Sequence, residues 1–279
     1  MADRHFIGNL ILMVGFLFIV TGNANAGAGD KYLATQQHLK DKHFIVYYSS
    51  KNESAFAREV LRRAEDYYHK IADRIGYSRY SNFWTWEERV KIIVFPDQNS
   101  YTATTGVPSW STGYSDSDSA LFQSRIIVTF RQQENFFDGL LPHEISHLIL
   151  RDFLGLKTDI PIWFDEGVAQ LEEKNKSDSA RQYMQMLVEA ENQIPFSLLL
   201  KWDVRGESDP QKVSIFYVQS LSVVEFMIRK YGSSAFGILC RSIRDGMDFE
   251  GALHKAYPRT ISSAGKLEEK WIKYIQENE

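Results

Sequence analysis

Residues 140–150 read LLPHEISHLIL, and the five at the centre are His143, Glu144, Ile145, Ser146 and His147. On an α-helix, positions i and i+4 lie one above the other, so two imidazoles at this spacing converge on one cation. Glu144 stands one position round from His143. It is not needed there as a ligand, and its carboxylate is placed to take a proton from an attacking water. The flanks favour a helix. Leu140, Leu141, Leu148, Ile149 and Leu150 supply buried sides, Pro142 sets the start just before His143, and Gly155 supplies a stop. The plain alternative is a core helix with two incidental histidines. With only 7 His in 279 residues, an accidental pair at this spacing is uncommon.

A second stretch narrows the choice. Ile160-Pro161-Ile162-Trp163-Phe164-Asp165-Glu166-Gly167 reads as a helix start with Pro161 near its first turn, and eighteen residues separate His147 from Glu166. A return helix reached through a loop of that length brings a carboxylate to the open side of the histidine pair. Two His and one Glu leave a fourth position for water, which is the pattern of a catalytic rather than a structural zinc. The expectation is one Zn2+ per chain, held by His143, His147 and Glu166.

H-E-x-x-H, eighteen residues and then E resembles the gluzincin group of zinc metallopeptidases. P-x-W-F-x-E-G at Pro161 to Gly167 and Y-x-x-S-x-x-x-V-x-F at Tyr217 to Phe226 are similar to the small peptidase MA-like family. The likeness runs from about His43 to the C-terminus and takes in a late L-x-x-x-W-x-x-Y segment (Leu267, Trp271, Tyr274). It implies the same three zinc ligands, Glu144 as catalytic base, and a zincin-like two-lobed fold. One departure stands out. Where some gluzincins place an Asp one turn after the Glu ligand to hold a ligand His, this chain has Gln170. An amide oxygen can accept that hydrogen bond but raises ligand basicity less than a carboxylate does. The G-x-M-E-N segment of the related aminopeptidases is absent, which removes the main sequence argument for an exopeptidase.

With 44% hydrophobic and 14% aromatic residues, the chain can bury a substantial core. The net charge of −4 and the dispersed basic residues give no reason to expect nucleic acid. Residues 1–26 read as a cleavable signal peptide. Arg4 precedes the apolar run Leu10 to Val20, and Ala24-Asn25-Ala26 is an A-x-A cleavage site after Ala26. That run is well short of the ~20 residues a spanning helix needs, so no stable membrane insertion is expected once the signal is removed. The expected location is the bacterial periplasm or the extracellular space. The single cysteine, Cys240, shares helical spacing with Phe236, Leu239 and Ile243 and reads as a buried apolar residue rather than a nucleophile.

Along the chain, His43 to Tyr48, Val90 to Phe95 and Arg125 to Phe130 read as strands. Between the first two, a helix capped at Asn52 to Ser54 runs to Gly76. Asp97 caps a short helix around Tyr101. An edge strand near Thr112 to Ser115, carrying Tyr114, is implied by the resemblance, since gluzincins pair such a strand with substrate backbone; a surface loop is the alternative. After residue 160 the chain reads as helical: Ser177 to Ala190, the apolar Val213 to Tyr231 closed by Gly232, Ser234 to Arg244 and Gly265 to Gln276. Strands first and helices later predict an α+β fold with a small mixed sheet. The expected domain is 27–279, with a sheet-bearing lobe at 27–152, including the active-site helix, and a helical lobe at 153–279.

The function expected is zinc-dependent peptide-bond hydrolysis, by an endopeptidase acting on a peptide or protein substrate. Tyr217, a hydroxyl on a buried helix downstream of the ligands, is the candidate donor to the oxyanion, with His254 behind it; the plain reading of Tyr217 is a core tyrosine. Two other readings compete. One is an exported zinc-loaded protein that binds peptides without cutting them, and the other an exported interaction protein with an accidental motif. Glu144 argues against the first, because metal binding alone has no need of a carboxylate there. The oligomeric state is left open.

Overall fold

A computed structural model describes residues 28–77, 84, 88–119, 121, 124–155, 158–174 and 176–277. The expected signal segment lies outside these residues. The described residues fall into two compact units, one drawn from 28–71 and 84–148, the other from 72–77 and 149–277.

The first unit carries a five-stranded mixed sheet of order β1-β2-β3-β5-β4. Its strands are β1 (Gln37–Lys40), β2 (Phe44–Tyr48), β3 (Val90–Phe95), β4 (Gly113–Ser119) and β5 (Ser124–Phe130). β2, β3 and β5 run parallel, while β1 and β4 are antiparallel edges. Burial follows position in the sheet. Five of the six β3 residues (V-K-I-I-V-F) are buried, as a strand covered on both faces requires, whereas β1 (Q-H-L-K) buries none. On one face Ile93, Phe95, Ile126, Val128, Phe130 and Tyr114 form a cluster. It is covered by Leu33 of α1 (Ala28–Leu33) and Tyr101 of α3 (Gln98–Thr105). Asp97 caps α3 as expected, accepting the Ser100 N–H at 2.8 Å.

Helix α2 (Ser54–Arg74) buries Val60, Leu61, Ala64, Tyr68 and Ile71 of the stripe its three-and-four spacing predicts, with Ala57 buried and Phe56 only partly so at its start. Tyr68 meets the edge of Phe44 at 6.2 Å between ring centroids. A 3-10 turn at Lys51–Glu53, capped by Ser50 in a capping box with Glu53, precedes the helix. Beyond the sheet, Phe136–Leu140 forms a π-type turn that leads into α4 (Leu141–Leu154). Helix α4 continues unbroken past residue 148, so its last turns belong to the second unit.

The second unit is helical. It holds α5 (Ile162–Gln170), α6 (Lys176–Glu189), α7 (Phe196–Leu199), α8 (Pro210–Arg244), α9 (Phe249–Ala256) and α10 (Ala264–Glu277). Helix α8 is interrupted where expected, at Gly232, whose φ of 85° is costly for any residue with a Cβ. The unit is fastened by buried polar contacts as well as rings. Gln219 exchanges two hydrogen bonds with the backbone of Ile194 (2.8 and 2.7 Å), and the Trp271 indole donates to Ser222 at 3.0 Å. Helix α5 lies directly on α8. A Cβ on Gly167 would sit 2.4 Å from the Ser220 carbonyl oxygen and 2.6 Å from Val224, so only glycine fits. The two sequence segments P-x-W-F-x-E-G and Y-x-x-S-x-x-x-V-x-F are therefore the two sides of one interface.

The fold is α+β, with a small mixed sheet followed by helices. Helices α1, α7 and α9 and strand β1 are additions to the sequence reading. Among the described residues no helix is long and apolar enough to cross a membrane.

Candidate metal centre

Helix α4 presents its chemistry from a nearly water-free position. Leu141, Ile145, Leu148, Ile149 and Leu150 are buried, and so are His143, Glu144 and His147. The helix is closed at Gly155, at φ 92°, whose N–H donates to the Arg151 carbonyl at 2.8 Å. Thr158 adds a cap by donating to the Leu154 carbonyl at 2.7 Å. One turn apart on this helix, the Nε2 atoms of His143 and His147 come to 3.1 Å, with the rings nearly perpendicular. Two nitrogens bound at about 2.0–2.1 Å to one tetrahedral ion stand roughly 3.3 Å apart. The pair needs only a slight adjustment to share a metal.

Helix α5 starts at Ile162, after Pro161 in extended backbone, and every residue from Trp163 to Gln170 is buried. Its first turn is tied to the last turn of α4. The Arg151 guanidinium donates through Nε and Nη2 to Asp165 Oδ2, at 3.0 and 2.6 Å. Arg151 follows His143 and His147 at i+8 and i+4 on the same helix face, and Asp165 immediately precedes Glu166. This ion pair therefore ties the last turn of α4 to the residue before Glu166. His143, His147 and Glu166 each offer a ligand atom, and the three atoms lie within 4.8 Å of one another.

The donor set fits a metal. Two imidazoles and one carboxylate, all buried, make a neutral-plus-anionic set that suits zinc and leaves a coordination position for water. Burying Glu166 without a cation would be costly, and the two imidazole nitrogens at 3.1 Å have room for only one proton between them.

The remaining candidates divide. Glu144 is buried beside His143, and its charge reaches Tyr101. The Tyr101 hydroxyl is pushed above its ordinary pKa mainly by burial and in smaller part by Tyr114 and Glu144, against a hydrogen bond with Ser111. Tyr217 is buried on α8. Burial foremost, and then the Glu166 charge, hold its phenol well above the ordinary range, with Arg205 acting the other way. Its hydroxyl is thus within the field of Glu166 and stays protonated. His254 is exposed on α9 and is not part of the group. Gln170 differs from expectation. Its Nε2 donates to the carbonyls of Glu166 (3.2 Å) and Tyr217 (3.0 Å), while its buried Oε1 has no hydrogen-bond partner. Its amide nitrogen links α5 to α8, and its oxygen, the atom that could accept from a ligand histidine, makes no hydrogen bond. Cys240 is fully buried and burial raises its thiol pKa strongly, which leaves it unsuited to nucleophilic work. The Arg151–Asp165 pair was absent from the sequence reading, although the i, i+4, i+8 stripe and the D-E step at 165–166 carry the signal.

The profile of the Peptidase MA superfamily matches residues 90–277, two thirds of the chain, from β3 to the end of α10. The chain belongs to the Peptidase MA superfamily. Membership gives this Peptidase MA protein the general character of a peptidase, a hydrolase, and the buried His143/His147/Glu166 group is one that can hold the metal of a metallopeptidase. No curated protein matches the chain.

Proposed function

We propose that the protein is a zinc-dependent endopeptidase with His143, His147 and Glu166 as metal ligands, Glu144 as general base and Tyr217 as oxyanion donor. The observation that supports this most is the convergence of three buried ligand atoms within 4.8 Å, with a further buried carboxylate, Glu144, adjacent to His143. Zinc bound there would polarise the scissile carbonyl and supply a water acidic enough to attack near neutral pH. Glu144 takes the proton of that water and hands it to the leaving amine nitrogen, so one carboxylate serves as base and then acid. The Tyr217 hydroxyl, kept protonated, donates to the oxygen on which charge builds. As the last strand of the sheet, β4 is the one whose backbone would pair with an extended substrate, a mode that suits a peptide held between its termini. The two-lobed zincin arrangement and export through a signal peptide cleaved after Ala26 belong to the same proposal.

The test is to incubate the purified mature protein with a mixed peptide library and read product termini by mass spectrometry. Cleavage at internal bonds is the expected result. Absence of cleavage by protein carrying its zinc would replace the proposal with that of a peptide-binding protein.

A further inference from the structure

A second cluster of nitrogen and carboxylate donors lies within the sheet-bearing unit and shares no residue with the first. His43 precedes β2, and Glu65 and His69 lie one turn apart on α2. One ligand atom from each falls within 4.8 Å of the others. His43 is buried, with its ring stacked on Tyr68 at 4.0 Å, and the His69 ring meets it edge-on at 5.4 Å. Glu65 accepts both N–H groups of His43, the backbone one at 2.8 Å and Nδ1 at 2.6 Å. That pair alone accounts for docking the strand start on the helix. It does not account for His69, an exposed imidazole turned edge-on to the pair.

We propose that His43, Glu65 and His69 form a second metal site, for a divalent ion of the zinc, nickel or copper class. Two imidazoles and one carboxylate are the donors such ions prefer, whereas magnesium and calcium favour all-oxygen sites. The ion enters where His43 and Glu65 now share a proton. A separation of 2.6 Å is that of a hydrogen bond, and two donors on one zinc stand roughly 3.3 Å apart, so the pair opens by several tenths of an ångström. His69 sits on the solvent side, where water completes the coordination. Its role is structural, joining the start of β2 to α2. The wider opening the 2.6 Å pair requires, together with the exposure of His69, makes this site weaker than the buried one.

The test is equilibrium dialysis of the mature chain against Zn2+, with bound metal counted by mass spectrometry. The wild type should hold two ions and His69→Ala one. The double variant His143→Ala, His147→Ala should hold one, and adding His69→Ala to it should leave none. Zinc should raise the melting temperature of the double variant and leave that of the triple variant unchanged. Should the double variant not fold, the fall from two ions to one between wild type and His69→Ala carries the same information, since an exposed His69 is not needed for folding. A wild-type count of one that persists in His69→Ala overturns the second site. A count of one that is lost in His69→Ala supports it and removes the His143/His147/Glu166 assignment instead.

Discussion

Gly167→Ala is the smallest change that should dislodge the metal centre. The added Cβ would lie 2.4 Å from the Ser220 carbonyl oxygen, 2.8 Å from its carbon and 2.6 Å from Val224 Cγ2. Real Cβ contacts essentially never fall below 3.0 Å, so α5 must retreat from α8 by roughly 0.6 Å. A side chain can rotate away, but two of the three atoms are backbone in the middle of a buried helix. Overpacking of this kind costs about 1–3 kcal/mol, and backbone contacts put it at the upper end. For a chain of this size 1 kcal/mol moves Tm by about 2–4 °C, so a fall of roughly 6–12 °C is expected. Because Glu166 is the preceding residue, the same retreat carries its carboxylate away from the histidines, and zinc affinity should drop as well. Thermal melting with and without zinc reads both effects. Adding Val224→Ala should restore only part of the loss, as it clears one contact of three. A Gly167→Ala protein melting within a degree or two of the parent would refute the close approach of the two helices.

Three further outcomes follow from the site. Tyr217→Phe should lower kcat by roughly 10² to 10³ with little change in KM if the hydroxyl serves the oxyanion. If it is only structural, stability should instead fall by about 0.5–1.5 kcal/mol with turnover kept, and kcat and Tm on one preparation separate the two. Glu166→Ala should greatly weaken zinc binding at the first site, since it removes one of three protein ligands; unchanged affinity by competition with a chelator would strike Glu166 from the set. Tyr101, Tyr114, Tyr217 and Tyr257 are buried, and burial holds each above its ordinary pKa of about 10. The unfolded chain therefore loses these protons first. Stability should be full below about pH 10 and fall above it, by up to about 1.4 kcal/mol per pH unit for each tyrosine. Denaturation midpoints that stay level to about pH 11 would contradict this.

The parts legible in the sequence were those whose physics is local. The bounds of β2, β3 and β5 follow from β-branched and aromatic runs, and α4 and α5 from their proline starts and apolar faces. The closeness of His143 and His147 was legible because a helix converts a spacing of four into proximity. What escaped either carried no compositional signal or depended on partners distant in sequence. Strand β1 (Q-H-L-K) has no strand-like composition and is a strand because β2 offers it an edge. Helix α9 has its buried Ala252, Leu253 and Ala256 at helical spacing, but it is only two turns long and carries Gly251 in its first turn. Gln170 reads in the sequence only as an amide able to accept from a histidine, whereas its amide nitrogen in fact donates to the carbonyl of Tyr217, forty-seven residues on. Gly167 was visible as a motif letter, but its reason, the Ser220 backbone, needed the fold.

The central claim is that Glu144 is a base and not a ligand. The most direct measurement pairs zinc content with peptide turnover in Glu144→Gln, a change that keeps the shape of the side chain and removes its ability to accept a proton. Zinc content and Tm should match the wild type while hydrolysis falls by at least ~10² to 10⁴. Near-normal turnover, or loss of the zinc together with the activity, would contradict the account.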